Sequence, residues 1–151
     1  MKKENIRVTK KFTFDMAHAL YGYDGPCRNI HGHTYQLAVT IIGKPLRQNE
    51  NPKDGMVIDF FEIKSLIKNE VLEIFDHALV LNSKSPHNII GSLKTQFDKI
   101  VLVPFQPSCE NLLLEIKNRL NLALDLKYKL FSIRLDETPT SYAEWYLIDN
   151  C

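Results

Sequence analysis

Two long runs of period-two alternation, separated by a dense cluster of turn residues, constrain the fold of this chain more than anything else in it. Over residues 6–20, Phe12, Phe14, Met16, His18 and Leu20 fall on one face and Lys11, Thr13, Asp15 and Ala17 on the other, the pattern of a half-buried strand. Over residues 31–42, His31, His33, Tyr35, Leu37, Val39 and Ile41 share one face, opposite Thr34, Gln36, Ala38 and Thr40. Between the runs lie Gly22, Asp24, Gly25 and Pro26, which bring a chain back antiparallel. The expectation is an antiparallel hairpin whose apolar face also carries histidines.

Residues 44–55 are polar, with Pro45 and Pro52, and read as a loop before the short apolar stretch Met56-Val57-Ile58. Asp59, with Glu62 three residues on, then makes a capping-box start for a helix. Its buried stripe is expected at Ile63, Ile67, Val71 and Ile74. Asp76-His77 follows at once. Residues 82–99 read as an excursion carrying a short helix through Ile89, Ile90, Leu93 and Phe97. Residues 100–105 form a short strand-like run. Pro107-Ser108 opens a second long helix with Leu112, Leu113, Ile116, Leu120 and Ala123 on its inner face. Two strands close the chain, the first with Phe131, Ile133, Leu135 and Glu137 on one face, the last over residues 142–148. The expected class is α+β: an antiparallel sheet of about four strands with two main helices on one face, in one domain over residues 1–151.

Nineteen basic against eighteen acidic residues leave a net charge of +1, with neither sign gathered into a run. Nucleic acid and anionic membranes are therefore not indicated as partners, whereas a small anionic substrate stays open. No stretch approaches the ~18 apolar residues of a membrane span, and no apolar leader precedes the first strand. A soluble, cytoplasmic protein is expected. Cys27, Cys109 and Cys151 are odd in number and far apart, which argues against a disulfide framework.

The chemistry concentrates in the stretch Cys27-Arg-Asn-Ile-His31-Gly-His33-Thr-Tyr35. His31 and His33 point the same way with Gly32 between them, and the hairpin can bring His18 beside them. Three imidazoles with a vacant fourth position are the donor set of catalytic zinc; a structural site would need Cys27 as the fourth ligand. Cys27 follows Gly25-Pro26 in a turn and adjoins Arg28, conditions that favour a thiolate able to act as a base. Asp76-His77 reads either as a helix end or as an acid/base dyad. Glu137 ends an apolar row and needs a partner: the N–H pair of a heterocycle or a protein arginine, with Arg134 on the opposite face by parity.

Taken together these pieces resemble the 6-pyruvoyltetrahydropterin synthase superfamily. They are Phe14-Asp15-Met16-Ala17-His18, Cys27-x3-His31-Gly32-His33, Gly55-Met56-Val57-Ile58-Asp59-Phe60, Asp76-His77, Pro107-Ser108-Cys109-Glu110-Asn111 and Glu137-Thr138. The three-residue gap between Cys27 and His31 looks like the 6-carboxytetrahydropterin synthase branch of queuosine precursor biosynthesis. The resemblance implies zinc on His18, His31 and His33, proton transfer by Cys27, Asp76 and His77, and a substrate pocket with Glu137 holding the pterin and Ser108 and Glu110 beside it. It implies the tunnelling fold (T-fold), in which subunits join their sheets into a barrel, usually as a homohexamer built as a dimer of trimers. The implied reaction converts 7,8-dihydroneopterin triphosphate to 6-carboxy-5,6,7,8-tetrahydropterin, acetaldehyde and triphosphate. Departures from the pattern are Pro-Ser-Cys where Pro-Thr is usual, Phe75 where Leu is common, and a long excursion at 82–99.

Three other readings stay open: the same scaffold making 6-pyruvoyltetrahydropterin or cleaving the pterin side chain, a non-catalytic pterin or metal binder, and a structural zinc domain.

Overall fold

A computed structural model describes residues 4–151. The chain runs β1 (Ile6–Ala19), a 3-10 turn (Pro26–Arg28), β2 (His31–Gly43), α1 (Phe60–Ile67), a π-helical turn (Lys68–Leu72), α2 (Glu73–Phe75), β3 (Ala78–Asn82), α3 (His87–Gln96), β4 (Ile100–Val103), α4 (Cys109–Ala123), β5 (Lys129–Thr138) and β6 (Ser141–Tyr146), ending in a 3-10 turn (Leu147–Asn150). One six-stranded sheet has the order β4-β3-β1-β2-β5-β6. The fold class is α+β as expected, but the sheet is larger than four strands and is mixed. β1, β2, β5 and β6 are antiparallel neighbours, while β3 runs parallel to both β1 and β4. The strand β3, Ala-Leu-Val-Leu-Asn, was not anticipated. Most of it is buried, so it reads as a continuous apolar run without alternation.

The hairpin β1–β2 pairs Phe14 with Tyr35, Met16 with His33 and His18 with His31. One face of the sheet is covered by α1 and α4, with Phe14, Tyr35, Leu37, Val39, Ile133 and Leu135 meeting Ile63, Ile67, Leu112, Leu113, Ile116 and Leu120 in a single core. Each such fully buried side chain contributes about 1.5–3 kcal/mol of transfer free energy. Asp59 caps α1 by accepting from the Phe61 amide.

Three inward positions differ from the sequence pattern. Phe75, not Ile74, completes the stripe of Ile63, Ile67 and Val71. The Glu73 amide bonds the Lys68 carbonyl five residues back, and this wider turn keeps every fourth residue in line. In β5 the pairing slips between Thr40 and Ile41; this bulge turns Leu130 into the core and leaves Phe131 against Tyr146 and the Arg7 guanidinium. Ala123 is exposed, because α4 ends there and Leu124 turns extended. No helix among the described residues is long and apolar enough to cross a membrane.

Candidate active site

The hairpin register places His18 directly across from His31, with His33 on the diagonal two residues away. Their rings lie 4.5–5.3 Å apart, centre to centre. One ligand nitrogen from each of the three lies within 4.8 Å of the others. The remaining ring nitrogens fix the tautomers. His18 Nδ1 lies 2.6 Å from the Pro107 carbonyl and His31 Nδ1 lies 2.8 Å from the Asn29 carbonyl. A carbonyl only accepts, so both Nδ1 atoms carry the proton and both Nε2 atoms present lone pairs. Those two Nε2 atoms are 3.1 Å apart, and the buried Nε2 of His33 has no hydrogen-bond partner. The His18 and His31 lone pairs repel each other unless a cation lies between them, and His33 Nε2 is left buried without a partner, so the set of three imidazoles fits a metal ion. Burial, the largest influence on His18, holds its pKa below the usual imidazole value, which favours the neutral ring a metal ion would require.

Glu137 stands beside this cluster, with its carboxylate oxygens 3.9 Å from His33 Nε2 and 4.0 Å from His18 Nε2. It accepts a hydrogen bond from the fully buried Tyr35 hydroxyl at 3.4 Å. Arg134 is not its partner, for that guanidinium is paired with Asp136 and Glu144. Tyr35 was legible only as a core residue, and the site reading missed its hydroxyl.

Asp76 and His77 meet each other: His77 Nδ1 lies 3.0 Å from Asp76 Oδ1, which also accepts from the Asp15 amide at 3.0 Å. The His77 backbone is left-handed, φ 60°, a sparsely populated conformation for a side-chain-bearing residue. It is held by the His77 amide bonding the Asp15 carbonyl at 2.7 Å. The imidazole is 76% exposed. His77 and His33 both border an open depression of about 870 Å³, together with Asp15, Ile30, Phe97 and Lys99; His33 and Glu137 border a smaller one of about 470 Å³. Among the described residues, no hydrogen bond or ion pair joins the Cys27 thiol or the Asp76–His77 pair to the three histidines. Ser108 caps α4 by accepting from the Asn111 amide, and Glu110 is exposed in the first turn of that helix. Burial first, then Glu137, pushes the Cys109 thiol up to about 12, which disfavours its thiolate, and its Sγ donates to the Leu135 carbonyl at 3.4 Å.

The family model described as 6-pyruvoyl tetrahydropterin synthase matches residues 7–147. The chain belongs to this family. Among curated relatives of this 6-pyruvoyl tetrahydropterin synthase family member, the 6-carboxy-5,6,7,8-tetrahydropterin synthase of Haemophilus influenzae is 40% identical over 142 residues, covering 93% of this chain and 98% of that protein. The protein of the same name from Rickettsia bellii is 36% identical over 143 residues, covering 92% and 99%. In fold, the 6-pyruvoyl tetrahydropterin synthase of Caenorhabditis elegans superposes with a TM-score of 0.68 at 22% identity, covering 97% and 98% of the two chains. An uncharacterised protein of Wolinella succinogenes gives 0.77 at 20% identity, covering 95% and 99%. The architecture of this family member is thus the α+β tunnelling fold, and the protein is an enzyme of the tetrahydropterin synthase type.

Proposed function

We propose that this chain is a zinc-dependent 6-carboxy-5,6,7,8-tetrahydropterin synthase. It would convert 7,8-dihydroneopterin triphosphate, with release of acetaldehyde and triphosphate, as a step toward queuosine. The observation that carries the reading is the convergence of one ring nitrogen from each of His18, His31 and His33 beside the Glu137 carboxylate, in a chain whose named relatives cover more than nine-tenths of it. His18, His31 and His33 would hold the metal. Zinc, when bound, supplies Lewis acidity toward the oxygens of the substrate side chain, which makes the adjacent C–H more acidic.

The remaining steps belong to the chain's own groups. Glu137, a quarter exposed, accepts from the paired N–H groups of the pterin ring, and the Tyr35 hydroxyl keeps its carboxylate turned toward the histidines. Ser108 and Glu110, at the start of α4, border the ring. Asp76 accepts the hydrogen bond of the His77 Nδ1–H and so holds that tautomer, which leaves the exposed Nε2 as the atom that accepts or returns a proton. Cys27 serves as the second proton carrier in its thiolate form. In this reading the complete site forms between subunits. A homohexamer, a dimer of trimers closed through the free sheet edges at β4 and β6, would supply them. The enzyme is expected to act in the cytoplasm.

Incubation with 7,8-dihydroneopterin triphosphate and mass analysis of the pterin tests the proposal. The 6-carboxy product supports it; a 6-pyruvoyl or 6-hydroxymethyl product assigns another branch, and bound but unchanged pterin marks a non-catalytic binder. Cys27→Ala should lose most turnover while keeping its zinc.

A further inference from the structure

Polar contacts with no part in the chemistry above converge on Gln106, the residue before the Pro107 carbonyl that sets the His18 tautomer. Asn82 closes β3 and is 6% exposed. Its Nδ2 donates to Gln106 Oε1 at 3.2 Å, while its Oδ1 accepts from the Lys84 amide at 3.0 Å. Gln106 Nε2 donates in turn to the Tyr21 carbonyl, just beyond β1. The Gln106 carbonyl accepts from Asn111 Nδ2 at 3.0 Å and from the Ser108 amide at 2.8 Å. Residue 107 is a buried proline, so its own φ is fixed and it has no N–H to anchor it. The direction of its carbonyl is therefore set by its neighbours, and these are tied to β3, to the β1–β2 turn and to α4.

We infer that the Asn82–Gln106 pair positions the Pro107 carbonyl on His18 Nδ1, and so presets the metal-binding tautomer of His18. This rests on the reading of the three histidines as metal ligands. Without the pair, the carbonyl loses its fixed direction, the Nδ1–H tautomer loses its acceptor, and the lone pair on Nε2 is no longer guaranteed. Outer groups that orient a ligating histidine typically change metal affinity 10–100-fold when removed.

The test compares the full-length wild type with Gln106→Ala, Asn82→Ala and the double variant. Zinc affinity is measured by competition with a chromophoric chelator, and the His18 tautomer by 15N NMR of the metal-free protein. The wild type should hold His18 with its proton on Nδ1. Each single variant should bind zinc about tenfold more weakly and show mixed tautomers, and the double variant should be little worse than either, since the two residues act as one unit. Gln106→Met keeps the side-chain volume and serves as the reporter should Gln106→Ala fold poorly. Folded variants with unchanged zinc affinity and an unchanged His18 tautomer overturn the inference. A wild type that binds no zinc instead refutes the metal reading, while the tautomer comparison still decides the role of the pair.

Discussion

His31→Ala separates a catalytic metal site from a structural one, because the structure puts different sizes on the two outcomes. His31 lies outside the apolar core, and its side chain makes one hydrogen bond to protein backbone, at the exposed Asn29 carbonyl. Deleting an exposed bond of this kind costs about 1 kcal/mol, or about 2–4 °C of melting temperature for a domain of this size. The core of Tyr35, Leu37, Val39, Ile133 and Leu135 against the two long helices is untouched. The metal-free variant should therefore remain folded, with circular dichroism matching metal-free wild type. Its zinc affinity should fall by more than about 100-fold, since a direct ligand is lost rather than an outer group. If zinc were structural, its binding free energy of about 10–16 kcal/mol would be folding free energy, and the variant would be unfolded. Metal-free His31→Ala that is unfolded at room temperature, or that binds zinc as wild type does, refutes the reasoning.

Glu137→Gln keeps the shape of the anchor but removes its charge and one of its two acceptors; KM for the pterin should rise about tenfold, near 1.4 kcal/mol, with zinc content unchanged, and an unaltered KM removes Glu137 from the pterin. Acid should destabilise the metal-free protein through His18. Its folded pKa lies below the ordinary 6.5 because burial disfavours the charged ring, so the unfolded chain takes up the proton first. This contribution to stability is intact above 6.5 and is lost as pH falls below it. Melting curves of metal-free protein from about pH 8 to about pH 5 should show wild type losing more stability than His18→Gln, and parallel profiles would contradict the assignment.

What could be read from the sequence, and what could not, follows from the physics of each element. The β1–β2 hairpin was legible because one solvated face imposes alternation, and its parity alone brought His18, His31 and His33 to one place. The caps at Asp59 and Ser108 were legible as short-range patterns. β3 was not, because a strand buried on both faces loses its period. The bulge at Phe131 moves the residue before it, Leu130, into the core, the π turn moves the buried position from Ile74 to Phe75, and neither leaves a distinct composition. The groups that orient the histidines escaped notice for another reason: the acceptors are backbone carbonyls of Asn29 and Pro107, which any residue type offers. The available signal was polar Asn82 and Gln106 closing otherwise apolar runs. Asp76 and His77 could be picked out as a pair, but their link to Asp15 depends on a left-handed His77 that sequence does not specify.

The most direct test of the central claim is the fate of the substrate side chain. Zinc-loaded protein given 7,8-dihydroneopterin triphosphate should release acetaldehyde and 6-carboxy-5,6,7,8-tetrahydropterin in equal amounts. Consumption of the substrate without acetaldehyde, or with a 6-pyruvoyl pterin in its place, would contradict the account.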